Sequence, residues 1–308
     1  MTSANVLSVN NSEELIGVII ENAKRFPELG LFPASPIEKT VYNTLVQTAL
    51  PSVAFRAGNA GRETTKATLV SRAVNCMFLD ASWDIDEAIA KACEWGVDKA
   101  LQIQRAAHIV AAMRHIASQT YYGTDADAAG FVGLASLFPY TDSDMVVNAA
   151  GSSAATGSSV FAVRFGVDAF QYAWGLGGQL DEGETERSQI YDADGKKMWG
   201  WSQSISGYVG LQTTNHNAGG RICNLTEDTG KGLTDDLIAD LLEKFPVGEG
   251  PDVLFMTKRS QGQLRSSRTA TNATGAPAPI PEEAYGVPIV PTDSVVNTET
   301  LLSAESSS

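Results

Sequence analysis

The feature that most limits how this chain can fold lies between Glu38 and Asn75. Two runs rich in Thr, Val, Leu and Phe, residues 40–55 and 64–74, flank Arg56-Ala-Gly-Asn-Ala-Gly-Arg62. Gly58-Asn59 and Ala60-Gly61 supply residues that tolerate positive φ, so the segment reads as a β-hairpin. Strands of about a dozen residues reach roughly 40 Å. Polar residues occupy both faces, and neither face can bury a deep core. A lone hairpin of that length is marginal in water and must lie on something. Two supports stay open: a sheet of its own domain, or a neighbouring subunit.

Before the hairpin, residues 13–25 carry a short helical pattern, with Leu15, Ile16, Ile19 and Ile20 in register and Ser12 as a cap. Residues 26–36 hold three prolines and read as an extended arm with apolar anchors Leu29, Leu31 and Phe32. After the hairpin, residues 84–121 read as one helix, opened by a capping box of Asp84 and Glu87 and stopped at Gly123. At 1.5 Å per residue it would span roughly 55 Å. Early acidic and late basic residues would complement its dipole, and Gly96 would mark a bend. Strand patterns follow over residues 160–165, 170–176, 188–191, 197–208, 209–214, 252–257 and 285–297. Residues 181–186 read as an acidic turn, Tyr191-Asp-Ala-Asp-Gly195 as a hairpin turn, and 233–245 and 258–268 as helices.

Composition narrows the function. With 22 Lys plus Arg against 36 Asp plus Glu, the formal net charge of the 308 residues is −14. That argues against a broad nucleic-acid face or an anionic membrane as partner. Charged residues are only 19%, which suits large protein contacts. Residues 1–9 show no secretory pattern, and no apolar run approaches the ~18 residues of a membrane span. Cys76, Cys93 and Cys223 lack CxxC spacing and read as small buried hydrophobes in a reducing compartment. The Asn-x-Ser/Thr triplets at Asn10, Asn224 and Asn272 read as chance matches.

Candidate chemistry is sparse. His108 and His115 lie seven apart, too far to chelate one ion, and no third ligand has supporting spacing. His216 has no nucleophile elbow to serve. Asp192-Ala-Asp194-Gly195 echoes a calcium loop but lacks the later carboxylates. Gly175-Leu-Gly-Gly178 is not a dinucleotide fingerprint. Trp199 and Trp201 alternate on one strand face and suggest packing or an interface. No catalytic residue, cofactor or metal is expected.

The order of parts is itself a pattern: helix and arm, long hairpin, spine-length helix, then a β-rich α/β remainder. It is carried by Leu50-Pro-Ser-Val-Ala-Phe-Arg56 with Asn59 and Gly61, and by Phe131-Val-Gly-Leu134. Val163-Arg-Phe-Gly166, Tyr285-Gly-Val-Pro-Ile-Val-Pro-Thr-Asp293 and Asn297-Thr-Glu299 complete it. The chain resembles the major capsid proteins of tailed bacteriophages, with the Hong Kong 97-type fold. It is most similar to the podovirus-like branch without a long N-terminal scaffolding segment.

The resemblance implies an α+β fold. Residues 1–37 would be an N-terminal arm and 38–75 an extended loop lying over an adjacent subunit. Residues 76–225 would be a peripheral domain with spine helix 84–121, 226–298 an axial domain, and 299–308 a flexible tail. It further implies hexamers and pentamers in an icosahedral head around double-stranded DNA, held without sequence-specific binding. Assembly would take place in the host cytoplasm, with a separate scaffolding protein, a portal and a decoration protein as further partners. Arg56, Asn59, Arg62, Glu63 and Phe32 are the expected inter-subunit contacts, with spine-helix carboxylates opposite the two arginines. The loop apex lacks Lys and Lys66 lies down the second strand, so no Lys–Asn cross-link of the kind one family member makes is expected. An encapsulin-like compartment would share the fold but enclose cargo enzymes. A soluble enzyme or adhesin of unrelated fold would need a polar pocket constellation that the sequence does not present.

Overall fold

The structure is a computed structural model that describes residues 26–61, 65–178, 180–213, 215–272 and 276–305. The helical pattern of residues 13–25 lies outside the described residues. The described chain begins with one helical turn, α1 (Glu28–Leu31), and a short strand, β1 (Ala34–Pro36). The hairpin strands follow, β2 (Val41–Ala49) and β3 (Thr68–Asn75). They pair antiparallel from Val41–Asn75 to Ala49–Thr68, with a register shift between Gln47 and Ala49. This ladder is a two-stranded sheet of its own. It is shorter than the sequence pattern, because Pro51 has no N–H to give a ladder and, among the described residues, 50–61 and 65–67 join no strand.

The chain then forms β4 (Met77–Asp80), β5 (Trp83–Asp86), α2 (Glu87–Lys91) and α3 (Val97–Tyr122). The single helix expected over residues 84–121 is corrected here. Trp83 and Ile85 are buried while Asp84 is exposed, a two-residue period that makes a strand. Asp86, not Asp84, caps α2 by accepting from the Ala88 N–H. Gly96, at φ 85°, breaks the backbone before α3 begins. The long helix therefore has 26 residues, about 39 Å. Asp98 is its one carboxylate, and its last turn holds no basic residue, so the expected charge gradient is absent.

The remainder comprises β6 (Val146–Asn148), β7 (Ser158–Val163), β8 (Gln171–Trp174), β9 (Asp181–Glu182), β10 (Glu186–Tyr191), β11 (Lys197–Gln203), β12 (Ile205–Gln212), β13 (Gly219–Leu225), α4 (Asp235–Leu242), β14 (Val253–Met256), α5 (Lys258–Ala270), β15 (Glu283–Ala284) and β16 (Val287–Pro291). The expected strand over residues 197–208 splits at Ser204, whose carbonyl accepts from the Gly183 N–H. On one side β11 joins β10 and β5; on the other β12 joins β8, β4 and β9. The latter pairing turns the first two of the six residues of the expected acidic turn into a short strand.

A six-stranded sheet, ordered β15-β16-β14-β7-β13-β6, forms the centre. It draws β7 and β13 together with β14 and β16, across the 225/226 boundary. Along β7, Val160 and Ala162 pack with Ile238, Leu241 and Leu264, toward α4 and α5. Phe161 and Val163 pack instead with Ile116, Tyr121 and Phe131, toward the end of α3. β14 alternates the same way, Leu254 and Met256 against Val253 and Phe255. A strand covered on both faces reads as a near-continuous apolar run. A third cluster, Trp83, Ile85, Ala90, Cys93, Ala100 and Ile205, secures the start of α3.

Candidate assembly surfaces

The hairpin tip is the most exposed apolar part of the described chain. Leu50, Val53 and Phe55 are 81%, 92% and 109% exposed. Polar contacts give the tip its shape. Arg56 Nη1 donates to the Ala60 carbonyl at 2.5 Å, and Thr65 Oγ1 donates to the Ser52 carbonyl at 3.0 Å. Asn59 sits at φ 63°, the turn conformation its short amide tolerates. Arg62 and Glu63 lie outside the described residues.

Phe32 belongs elsewhere, which corrects its reading as an inter-subunit contact. It is 4% exposed, with its ring 4.9 Å from Phe165, 5.3 Å from Tyr172 and 5.9 Å from Phe255. The arm carries it there because β1 pairs with β8, Ala34 opposite Tyr172. Glu28, one turn earlier, is also buried. Its carboxylate accepts from Thr292 Oγ1 at 2.9 Å and from Ser294 Oγ. Burial raises its pKa, and the two hydroxyls only partly offset that.

The segment after β16 is fastened to the same body. Glu299 accepts from Arg221 Nη2 at 2.9 Å, Ser159 Oγ at 2.5 Å and Tyr122 Oη at 2.6 Å. Asn224 bonds both the N–H and the carbonyl of Leu302, and the Thr141 N–H donates to Ser303. The expected flexible tail is therefore corrected for residues 299–305; residues 306–308 lie outside the described residues. The reason is the buried guanidinium of Arg221 on β13, which needs an anion inside the fold. That arginine in the apolar run Gly219–Leu225 was the available sequence signal. Beside this ion pair, Ser118, Asp125, Pro139 and Thr298 help line a cleft of about 810 Å³.

The other residues singled out from sequence take local roles. His115 Nε2 lies 3.1 Å from Asp127 Oδ2, and the two histidines of α3 converge on no shared acidic or sulfur ligand set among the described residues. His216 is solvent-exposed, and desolvation followed by the charge of Arg72 lowers its pKa. Asp192 accepts from the Asp194 and Lys196 N–H groups, closing the β10–β11 turn as expected. Arg187 stacks over Trp199 at 5.1 Å.

Residues 36–303 match the family described as Major capsid protein GP7. The chain belongs to the major capsid protein GP7 family. Among solved structures, a chain of bacteriophage Epsilon15 aligns with a TM-score of 0.69 at 18% identity, covering 96% of this chain and 94% of that one. A chain of the bacteriophage JBD30 capsid decorated with minor capsid protein trimers aligns at 0.55 and 14% identity, covering 96% and 99%. No curated protein sequence matches.

For a GP7-type major capsid protein, the parts fall into place. The α+β fold is the Hong Kong 97-type capsid fold, the chain forms the viral capsid, and its place is the virion. Its role is structural, and neither the encapsulin-like nor the unrelated-enzyme reading is favoured.

Proposed function

We propose that this major capsid protein assembles into hexamers and pentamers of an icosahedral head enclosing double-stranded DNA. The single observation that carries the reading is the hairpin: a two-stranded ribbon with a bare apolar tip. Such a ribbon gains its stability by lying across a neighbouring subunit. Obligate interfaces commonly bury about 2,000–5,000 Å², and the ribbon adds area to each contact between neighbours. Many modest contacts make a shell stable as a whole yet correctable while it grows.

In this reading residues 1–37 are the arm and 38–75 the extended loop. The long helix, with the sheets of β4, β5 and β8–β12, is the peripheral body. The six-stranded sheet with α4 and α5 is the axial body and takes in β6, β7 and β13. A net charge of −14 suits a wall that contains DNA without gripping its sequence. A scaffolding protein, a portal and a decoration protein complete the assembly, which takes place in the host cytoplasm. Negative-stain electron microscopy of the chain expressed alone and with a scaffolding protein tests this. Shells, tubes or rings are the expected result; a stable monomer under both conditions overturns it.

A further inference from the structure

At the foot of the hairpin, where β3 passes into β4, a groove of about 260 Å³ opens between β4 and α3. Its walls include Met77, Phe78, Ile116 and Phe131, and its rim holds Asp80 and Asp127. Phe78 is 57% exposed, yet its ring is set by an edge contact with Tyr208 at 5.3 Å. The groove is thus a formed apolar slot with a solvent-facing mouth.

The rim is anionic. Ser82 hydrogen bonds lower the pKa of Asp80. Those of Ala129 and His115 do the same for Asp127. The hairpin has the opposite sign. Between residues 41 and 75 stand Arg56, Arg62, Lys66 and Arg72 against one acid, Glu63, in a chain whose net charge is −14. Arg56 adjoins Phe55, the most exposed of the apolar tip residues. A tip with an apolar knob beside a cation matches a groove with an apolar floor beside carboxylates.

We propose that the hairpin tip of one copy docks on the hairpin foot of a second copy, with Phe55 in the groove between β4 and α3 and Arg56 toward Asp80 and Asp127. This deepens, and rests on, the reading that the hairpin crosses a neighbour. A copy cannot fill its own groove. Fourteen residue steps run from Val41 to Phe55, roughly 46 Å of chain when extended at 3.3 Å each. Tip-to-foot is a heterologous contact, and around a rotation axis one such contact repeats identically until the ring closes. Every copy then gives one tip and receives one.

The test uses the full chain and paired cysteines. The natural Cys76, Cys93 and Cys223 are all buried. Shells of the Phe55→Cys, Phe78→Cys double variant should give a ladder of covalent oligomers on a non-reducing gel. Either single variant should not, nor should Phe55→Cys combined with Tyr285→Cys, a position on the six-stranded sheet. A Val53→Ser, Phe55→Ser variant should lower shell yield roughly tenfold or more, with the unassembled chain still folded by circular dichroism. Intact shells of the double-cysteine variant without a ladder overturn the contact, as does an equal ladder from the Tyr285 control. The capsid reading would then still stand. Absence of any shell from the unaltered chain removes that reading, and the contact with it.

Discussion

Arg221 and Glu299, 78 residues apart in the chain, meet as an ion pair at 2.9 Å with both side chains about 5% exposed. Ser159 and Tyr122 hydroxyls complete the carboxylate's shell. The pair joins β13, the end of the long helix and the last described segment at one point.

Removing one partner strands the other in a dry site, which typically costs about 3–5 kcal/mol. Glu299→Ala should therefore lower unfolding stability by about that much in denaturant titrations of the unassembled chain. The Arg221→Met, Glu299→Leu double variant should lose less than either single variant, because no bare charge remains buried. Equal losses in all three would show that packing, not charge, dominates.

Glu28 makes a pH prediction. Burial raises its folded pKa above the ordinary value of 4.5, against hydrogen bonds from Ser294 and Thr292 that lower it. Between the ordinary and the raised value, the folded chain keeps a proton that the unfolded chain has released. Stability must then fall as pH rises through that window, and remain lower above it. Glu28→Gln should flatten this dependence and raise the urea midpoint at neutral pH. A midpoint series across pH for both proteins checks it.

Gly123 ends the long helix at φ 56°, and a Cβ placed there would lie 2.2 Å from the Gly133 nitrogen. A Cβ on Gly133 would lie 2.3 Å from the Gly123 nitrogen. The two backbones touch where helix end and following loop cross. Gly123→Ala should cost about 1–3 kcal/mol from conformation alone, and more from the clash. Gly133→Ala should suffer only the clash and lose less. Thermal unfolding of both variants gives the ranking.

Phe32 and Phe55 should separate folding from assembly. Phe32 fills an aromatic cluster, so Phe32→Ala should cost about 3–5 kcal/mol. Phe55 touches solvent, so Phe55→Ser should stay within about 0.5 kcal/mol of the unaltered chain before assembly. Denaturant midpoints combined with shell yields distinguish the two roles.

The hairpin was legible because its turn residues and its two-faced polarity are local. The Gly123 stop and the β10–β11 turn were legible for the same reason. The start of the long helix was not. Ile85 and Ile89 satisfy a helical spacing, while Trp83 and Ile85 satisfy a strand spacing equally well. Only pairing with β11, Trp201 opposite Ile85, decides between them. The burial of Phe32 and the fastening of Glu299 were also hidden. Each depends on a partner more than a hundred or nearly eighty residues away, and no local period records it. Arg56 and Asn59 stand at an exposed tip, as the turn chemistry required, while the spine-helix carboxylates imagined opposite the arginines shrink to Asp98.

The distance in sequence between Arg221 and Glu299 also sets a clock. A chain made N-terminus first exposes Arg221 well before its anion exists. At about 5–20 residues per second, the 78 intervening residues take roughly 4–16 s. Glu28 waits longer still for Thr292, 264 residues downstream. The hairpin is thus synthesised early, while the body that must hold it rigidly is locked late. A nascent subunit carries its hairpin before the pairs that lock its body are complete.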